Sequence, residues 1–112
     1  MVTPTTGAVV LVPFPFSDLS HSMLRPAVVL ADASRGDWVL CQVTSKSYAD
    51  PDAVELKDTD FSSGSLKVVS YARPGKLFTA SSDLMVAEVG GLKKDALKLI
   101  VDAVVKLLQA GL

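Results

Sequence analysis

Apolar residues in this chain come in short β-branched runs until about residue 94, where their spacing changes to a helical one. Gly7-Ala8-Val9-Val10-Leu11-Val12-Pro13 is bounded by Gly and Pro and predicts a buried strand. Pro13 to Ser22 contains two prolines and several turn formers, and predicts a loop. Pro26-Ala27-Val28-Val29-Leu30-Ala31 predicts a second strand, Asp32 to Asp37 a turn, and Trp38 to Thr44 a third strand. The first two runs are apolar throughout, the pattern of strands covered on both faces.

The polar stretch Ser45 to Pro51 follows, then a weak strand at Ala53 to Leu56 and a turn-rich segment from Asp58 to Ser65. Leu66 to Tyr71 and Gly75 to Thr79 predict two further strands. Ser81 to Met85 reads as one helical turn, and Gly90-Gly91 as a break. Beyond it, Leu97, Ile100, Val101, Val104, Leu107 and Leu108 recur at helical spacing, with Lys98, Asp102, Lys106 and Gln109 on the other face. Many short strands and one terminal amphipathic helix imply a mainly β fold: a small antiparallel barrel with the helix over one mouth. With no internal repeat or linker, residues 1–112 are expected to form a single domain.

Composition narrows the functions. The chain is 49% hydrophobic, with a mean hydropathy of +0.38. In a domain this small, that surplus suits a self-association interface. No apolar run reaches the roughly 18 residues of a membrane span, and residues 1–7 do not have the form of a secretory signal. The single Cys41 has no disulfide partner within the chain, so the expected location is the cytoplasm. Lys and Arg number 11 against 12 Asp and Glu, so any nucleic-acid site must concentrate its positive charge in a groove.

Several chemistries lack their residues. One histidine and one cysteine are too few soft ligands for a transition-metal site, although carboxylates can still hold a hard cation. No cofactor is implied, since neither standard Gly-rich phosphate loop is present. A paired-histidine nuclease mechanism is also ruled out. Cleavage of RNA by this chain would fall to an arginine with neighbouring hydroxyls or carboxylates.

Four segments, taken in order, resemble one family. Gly7 to Leu19, with Pro13-Phe14-Pro15-Phe16-Ser17-Asp18, is similar to the opening strand and loop of the MazF/PemK toxins. Met23-Leu24-Arg25-Pro26-Ala27-Val28-Val29-Leu30 resembles their second strand, and Gln42-Val43-Thr44-Ser45 the end of their third. Ser70-Tyr71-Ala72-Arg73-Pro74-Gly75-Lys76-Leu77-Phe78-Thr79 resembles a later segment of the PemK-like branch. The resemblance implies an SH3-like small barrel of the MazF/Kid/CcdB type, acting as a homodimer. It further implies a metal-independent endoribonuclease, the toxin of a type II toxin–antitoxin system, that cleaves single-stranded RNA to a 2′,3′-cyclic phosphate and a 5′-hydroxyl. The expected partner is an antitoxin whose disordered tail crosses the active groove.

Carried over residue by residue, the resemblance makes Arg25 and Thr44 the catalytic candidates. Arg25 precedes a proline and is therefore extended; its planar fork can hold two phosphate oxygens and stabilise the charge that develops on them. A guanidinium holds its protons too firmly to be a good general base. A Thr44 hydroxyl can donate to a phosphoryl oxygen or position the 2′-hydroxyl; its plainer role is β propensity at a strand end. Arg73, Ser45, His21 and Lys76 are the expected RNA contacts, each with a solvated side chain as the alternative. Some relatives carry a carboxylate two residues after the counterpart of Arg73, whereas Gly75 stands here, so Arg73 is assigned only to phosphate contact. Phe14 and Phe16 are expected to anchor the loop to the core, and Trp38 to lie in the core or between copies. Two other readings share the fold: a CcdB-like gyrase-binding toxin and a catalytically degenerate binding module.

Overall fold

The three β-branched runs become adjacent strands. In a computed structural model that describes residues 2–15 and 22–112, β1 (Ala8–Pro15) pairs antiparallel with β2 (Ser22–Ser34), with Val9 opposite Val28 and Val12 opposite Arg25. β2 pairs with β3 (Asp37–Thr44), with Ala27 opposite Gln42. The remaining elements are β4 (Val54–Leu56), β5 (Phe61–Gly64), β6 (Ser70–Ser81), β7 (Ala87–Leu92) and α1 (Lys94–Gln109), with short 3₁₀ turns at Asp58–Asp60 and Ser82–Leu84. All seven strands form one antiparallel sheet in the order β4-β6-β3-β2-β1-β7-β5.

Alternate residues of the central strands feed two separate apolar clusters, as strands covered on both faces require. Val9, Val28, Cys41, Val43 and Ala72 join Ala96 and Ile100 of α1 in one. Val10, Val12, Phe14, Ala27, Val29 and Leu40 form the other, with Ala80, Met85 and the flanking Trp38 and Phe78. Leu56 and Phe61, from the two edge strands, share the first cluster. The sheet is therefore curled until its edges close over one core, a half-barrel. α1 packs on β6 and β4 through Ala96, Ile100 and Val104. Asp95 in its first turn and Lys106 in its last complement the helix dipole. None of the described helices is long and apolar enough to cross a membrane.

Four expectations need correction. The segment expected to be turn-rich, Asp58 to Ser65, contains β5, because Phe61 inserts into the core and pairs opposite Leu92. The strand expected at Leu66 to Tyr71 begins only at Ser70: Lys67 has a φ of 66°, and Val68 and Val69 are exposed. The loop expected from Pro13 to Ser22 does not include its ends, since β1 continues to Pro15 and β2 begins at Ser22. Gly90-Gly91 is not a break but lies within β7. A Cβ at Gly90 would sit 2.9 Å from both the Phe61 ring and the Ser63 carbonyl oxygen. The glycine pair is there so that β5 can cross close over β7.

Gly90→Ala is therefore expected to destabilise the fold by about 2 kcal/mol, as overpacking does. Thermal unfolding at fixed protein concentration should show a fall in Tm on the order of 8 °C. An unchanged Tm would mean that the crossing is looser than described.

Candidate functional site

The strand pattern places the predicted residues at the same end of the sheet. The β2/β3 pairing ends with Ala27 opposite Gln42, and Arg25 and Thr44 are the next residues of the same face on the two strands. Thr44 in turn lies opposite Tyr71 of β6. Alternation puts Arg25 on the face of Ala27 and Val29, and Thr44 on that of Leu40, which is the same side of the sheet. Arg25 thus lies at the end of the second cluster on the same face as the Thr44–Tyr71 pair. Arg25 is half-buried, Thr44 is 5% exposed, and Ser45 beside it is exposed. The Thr44 Oγ1 accepts the Lys46 N–H at 3.2 Å, which turns the chain out of β3. His21 lies outside the described residues, as does Phe16.

A bulge in β6 arranges the second group. Cys41 lies opposite Leu77 and Val43 opposite Ala72, so four residues of β6, Arg73 to Lys76, face the single Gln42 of β3. The Cys41 Sγ donates to the Arg73 carbonyl at 3.2 Å and ties the bulge to β3. Burial pushes the Cys41 thiol up to about 12, the bond to Arg73 opposing it weakly, so this cysteine is no nucleophile at neutral pH. Pro74 is fully buried, while Gly75 and Lys76 are exposed. A Cβ on Gly75 would meet nothing within 4 Å, so packing does not explain the missing carboxylate there.

Arg73 does not stand free in solvent. Its Nε donates to the Asp50 Oδ2 at 3.2 Å, and its guanidinium carbon lies 5.1 Å from the centroid of the Tyr48 ring. The two charged side chains are only 22% and 15% exposed. The Asp52 N–H, donated to the Asp50 Oδ1 at 2.9 Å, does most to hold the Asp50 carboxyl below its ordinary value. Burial opposes this, and Arg73 adds to it through its hydrogen bond and its charge. Neither Tyr48 nor Asp50 is singled out by sequence reasoning, because the stretch from Ser45 to Pro51 reads simply as polar. A lone aromatic within it was the available signal.

Lys76 lies on the rim of a cavity of about 430 Å³ lined by Val12, Phe14, Phe78 and Leu84 among others. Val12 is the cross-strand partner of Arg25, so this apolar groove begins beside Arg25. Phe14 is buried and meets Phe78 edge-on at 4.6 Å, in keeping with the anchoring expected of it. Among the described residues, no three His, Cys, Asp or Glu side chains cluster as metal ligands.

No family model matches the sequence, and no curated protein matches it significantly. Solved structures do match. MazF from Deinococcus radiodurans superposes with a TM-score of 0.74 at 24% identity, over 96% of this chain and 98% of that one. A chain of a Deinococcus radiodurans MazE-MazF complex gives 0.77 at 20% identity, over 96% and 97%. A mycobacterial endoribonuclease in complex with its cognate antitoxin gives 0.70 at 18% identity, over 96% and 95%. At such identities the likeness is one of fold: the chain has the MazF fold, as its sequence resemblance implied.

The Asp50–Arg73 pair carries its own pH dependence. A carboxyl whose pKa falls on folding stabilises the native state above its unfolded pKa of about 3.9 and stops doing so as pH drops through the folded value. Asp50→Asn is expected to lower stability by about 1 kcal/mol at neutral pH. The Tm difference from wild type should hold down to about pH 4 and shrink below it. A gap that closes above pH 6 would contradict this assignment.

Proposed function

We propose that residues 1–112 form the toxin domain of a type II toxin–antitoxin pair, a metal-independent endoribonuclease that cleaves single-stranded RNA in the cytoplasm. What carries the reading is the place of Arg25 and Thr44 on one face, at the same end of adjacent strands, in a MazF fold. The fold alone admits other activities; Arg25 and Thr44 supply charge stabilisation and a hydroxyl donor for a phosphoryl group.

In that reaction the 2′-oxygen attacks the adjacent phosphorus. The P–O2′ bond forms, the P–O5′ bond breaks, the 2′-hydroxyl gives its proton to solvent water and the departing 5′-oxygen takes one from solvent water. The Arg25 guanidinium stabilises the charge that builds on the phosphoryl oxygens. The Thr44 hydroxyl, whose oxygen already accepts the Lys46 N–H, retains its proton to donate to the same group. Ser45, Lys76 and His21 contact the neighbouring RNA backbone, and Arg73 adds positive charge that Asp50 partly neutralises.

Two partners complete the reading. The fold is shared with proteins solved as MazE-MazF and endoribonuclease–antitoxin complexes, which supports an antitoxin whose tail lies along Arg25 and the groove lined by Phe14 and Phe78. A homodimer gives the chain's large apolar content, part of which is exposed at Leu84 and Val86, a surface to bury against.

Purified protein incubated with long single-stranded RNA in excess EDTA is expected to cut at one short sequence, leaving cyclic-phosphate ends. Arg25→Ala should lower the rate at least about 100-fold, and Thr44→Val should do so by a similar factor, with circular dichroism unchanged. Full activity in Arg25→Ala, or no cleavage by folded wild-type protein across several RNAs, would sink the reading.

A further inference from the structure

Tyr48 is exposed to 59%, and in the stretch 45–53 no other large apolar side chain is exposed. One face of its ring carries the Arg73 guanidinium at 5.1 Å. With that face occupied and the residue mostly exposed, the opposite face is turned to solvent. Arg73 is itself fixed from behind by Asp50 at 3.2 Å, and Asp50 by the Asp52 N–H at 2.9 Å. The ring therefore sits at the end of a chain of three side chains anchored in the loop and in the β6 bulge.

The backbone agrees with this placement. Tyr48 and Ala49 have φ of 52° and 53°, two consecutive non-glycine residues in the left-handed region. Such conformations carry a free-energy cost and persist where surrounding contacts impose them, commonly at binding sites. Here the imposing contacts are the ones that hold the ring outward.

The geometry points to Tyr48 as a nucleobase-stacking platform beside Arg25 and Thr44, held in place by Arg73 and Asp50 as positioning residues. This assignment rests on the endoribonuclease reading and adds to it a residue that holds one unstacked base. A single exposed ring suits a single base, since every base offers a π-face and aromatic stacking is a common mode of single-strand recognition. A peptide-docking patch would require contiguous apolar surface, which this loop lacks. The exposed Ser45, Lys46 and Ser47 that lead to Tyr48 supply donors suited to the phosphates on either side of a stacked base. The loop leaves β3 directly after Thr44, so the ring lies four residues along the chain from that hydroxyl.

The test uses a fluorescein-labelled 12-nucleotide RNA with the mapped cleavage sequence, blocked by a 2′-deoxy sugar at the cut, and a set of abasic versions. Fluorescence anisotropy reads the affinity. For wild-type protein, removing the base at one position should weaken binding about five- to hundredfold. Tyr48→Ala should weaken the intact RNA by the same factor, with no further loss when that base is absent. Tyr48→Phe should bind like wild type, and Asp50→Ala should lose part of the affinity at that position alone. Wild-type affinity in Tyr48→Ala, or an equal loss on every abasic RNA, would overturn the stacking assignment while leaving the nuclease reading standing. Failure of the wild-type protein to bind any of these RNAs would overturn both.

Discussion

Val9 and Val10 are neighbours in sequence, and neither has any solvent exposure, yet they belong to different apolar clusters on opposite faces of β1. The same division separates Val28 from Val29 and Leu40 from Cys41. A sheet covered on both faces by so short a chain must curl, because one terminal helix can shield only part of one side. The curl brings Leu56 and Phe61 from the two sheet edges into one core, and it requires Gly90 where β5 crosses β7. Each later feature of the molecule is placed by this double burial.

The candidate site lies where the pattern ends. On the face of the second cluster the alternating positions pass from Val29 and Ala27 to Arg25, and from Leu40 through Gln42 to Thr44. The polar positions are thus continuations of apolar rows, set at fixed spacing by strands that packing holds rigid. A half-buried guanidinium on such a frame is better preorganised for a phosphoryl group than one on a free loop. The β6 bulge uses the same frame differently. It presents Gly75 and Lys76 to solvent while Cys41 and the buried Pro74 hold its base.

Arg73 shows how tertiary context alters the meaning of a residue. As an isolated cation it suits an RNA phosphate, but here Asp50 takes its Nε and Tyr48 lies against its plane. Its charge is partly spent within the molecule, and its rigidity passes to the loop. That agrees with a chain whose net charge is −1 and which has no general excess of cations for gripping RNA.

Much of this was legible along the chain. The apolar runs of β1 to β3, the terminal helix and the ordered resemblance of four segments were enough for the mainly β fold of the MazF type, and Arg25-Pro26 and Thr44 stood out as candidates. Those signals are local: they depend on spacing within a strand or a helix. What lay beyond local reading depends on contacts between distant residues. Gly90 lies in a strand because Phe61, 29 positions away, packs on it. The segments around Ser70 and Gly75 form one bulged strand because β3 pairs with both ends. Asp50 gains its role from an arginine 23 residues later. The sequence by itself determined which residues must be buried and how they repeat. Only the tertiary structure decided which polar residues meet, because pairing across strands and loops follows from register and curvature that no local pattern encodes.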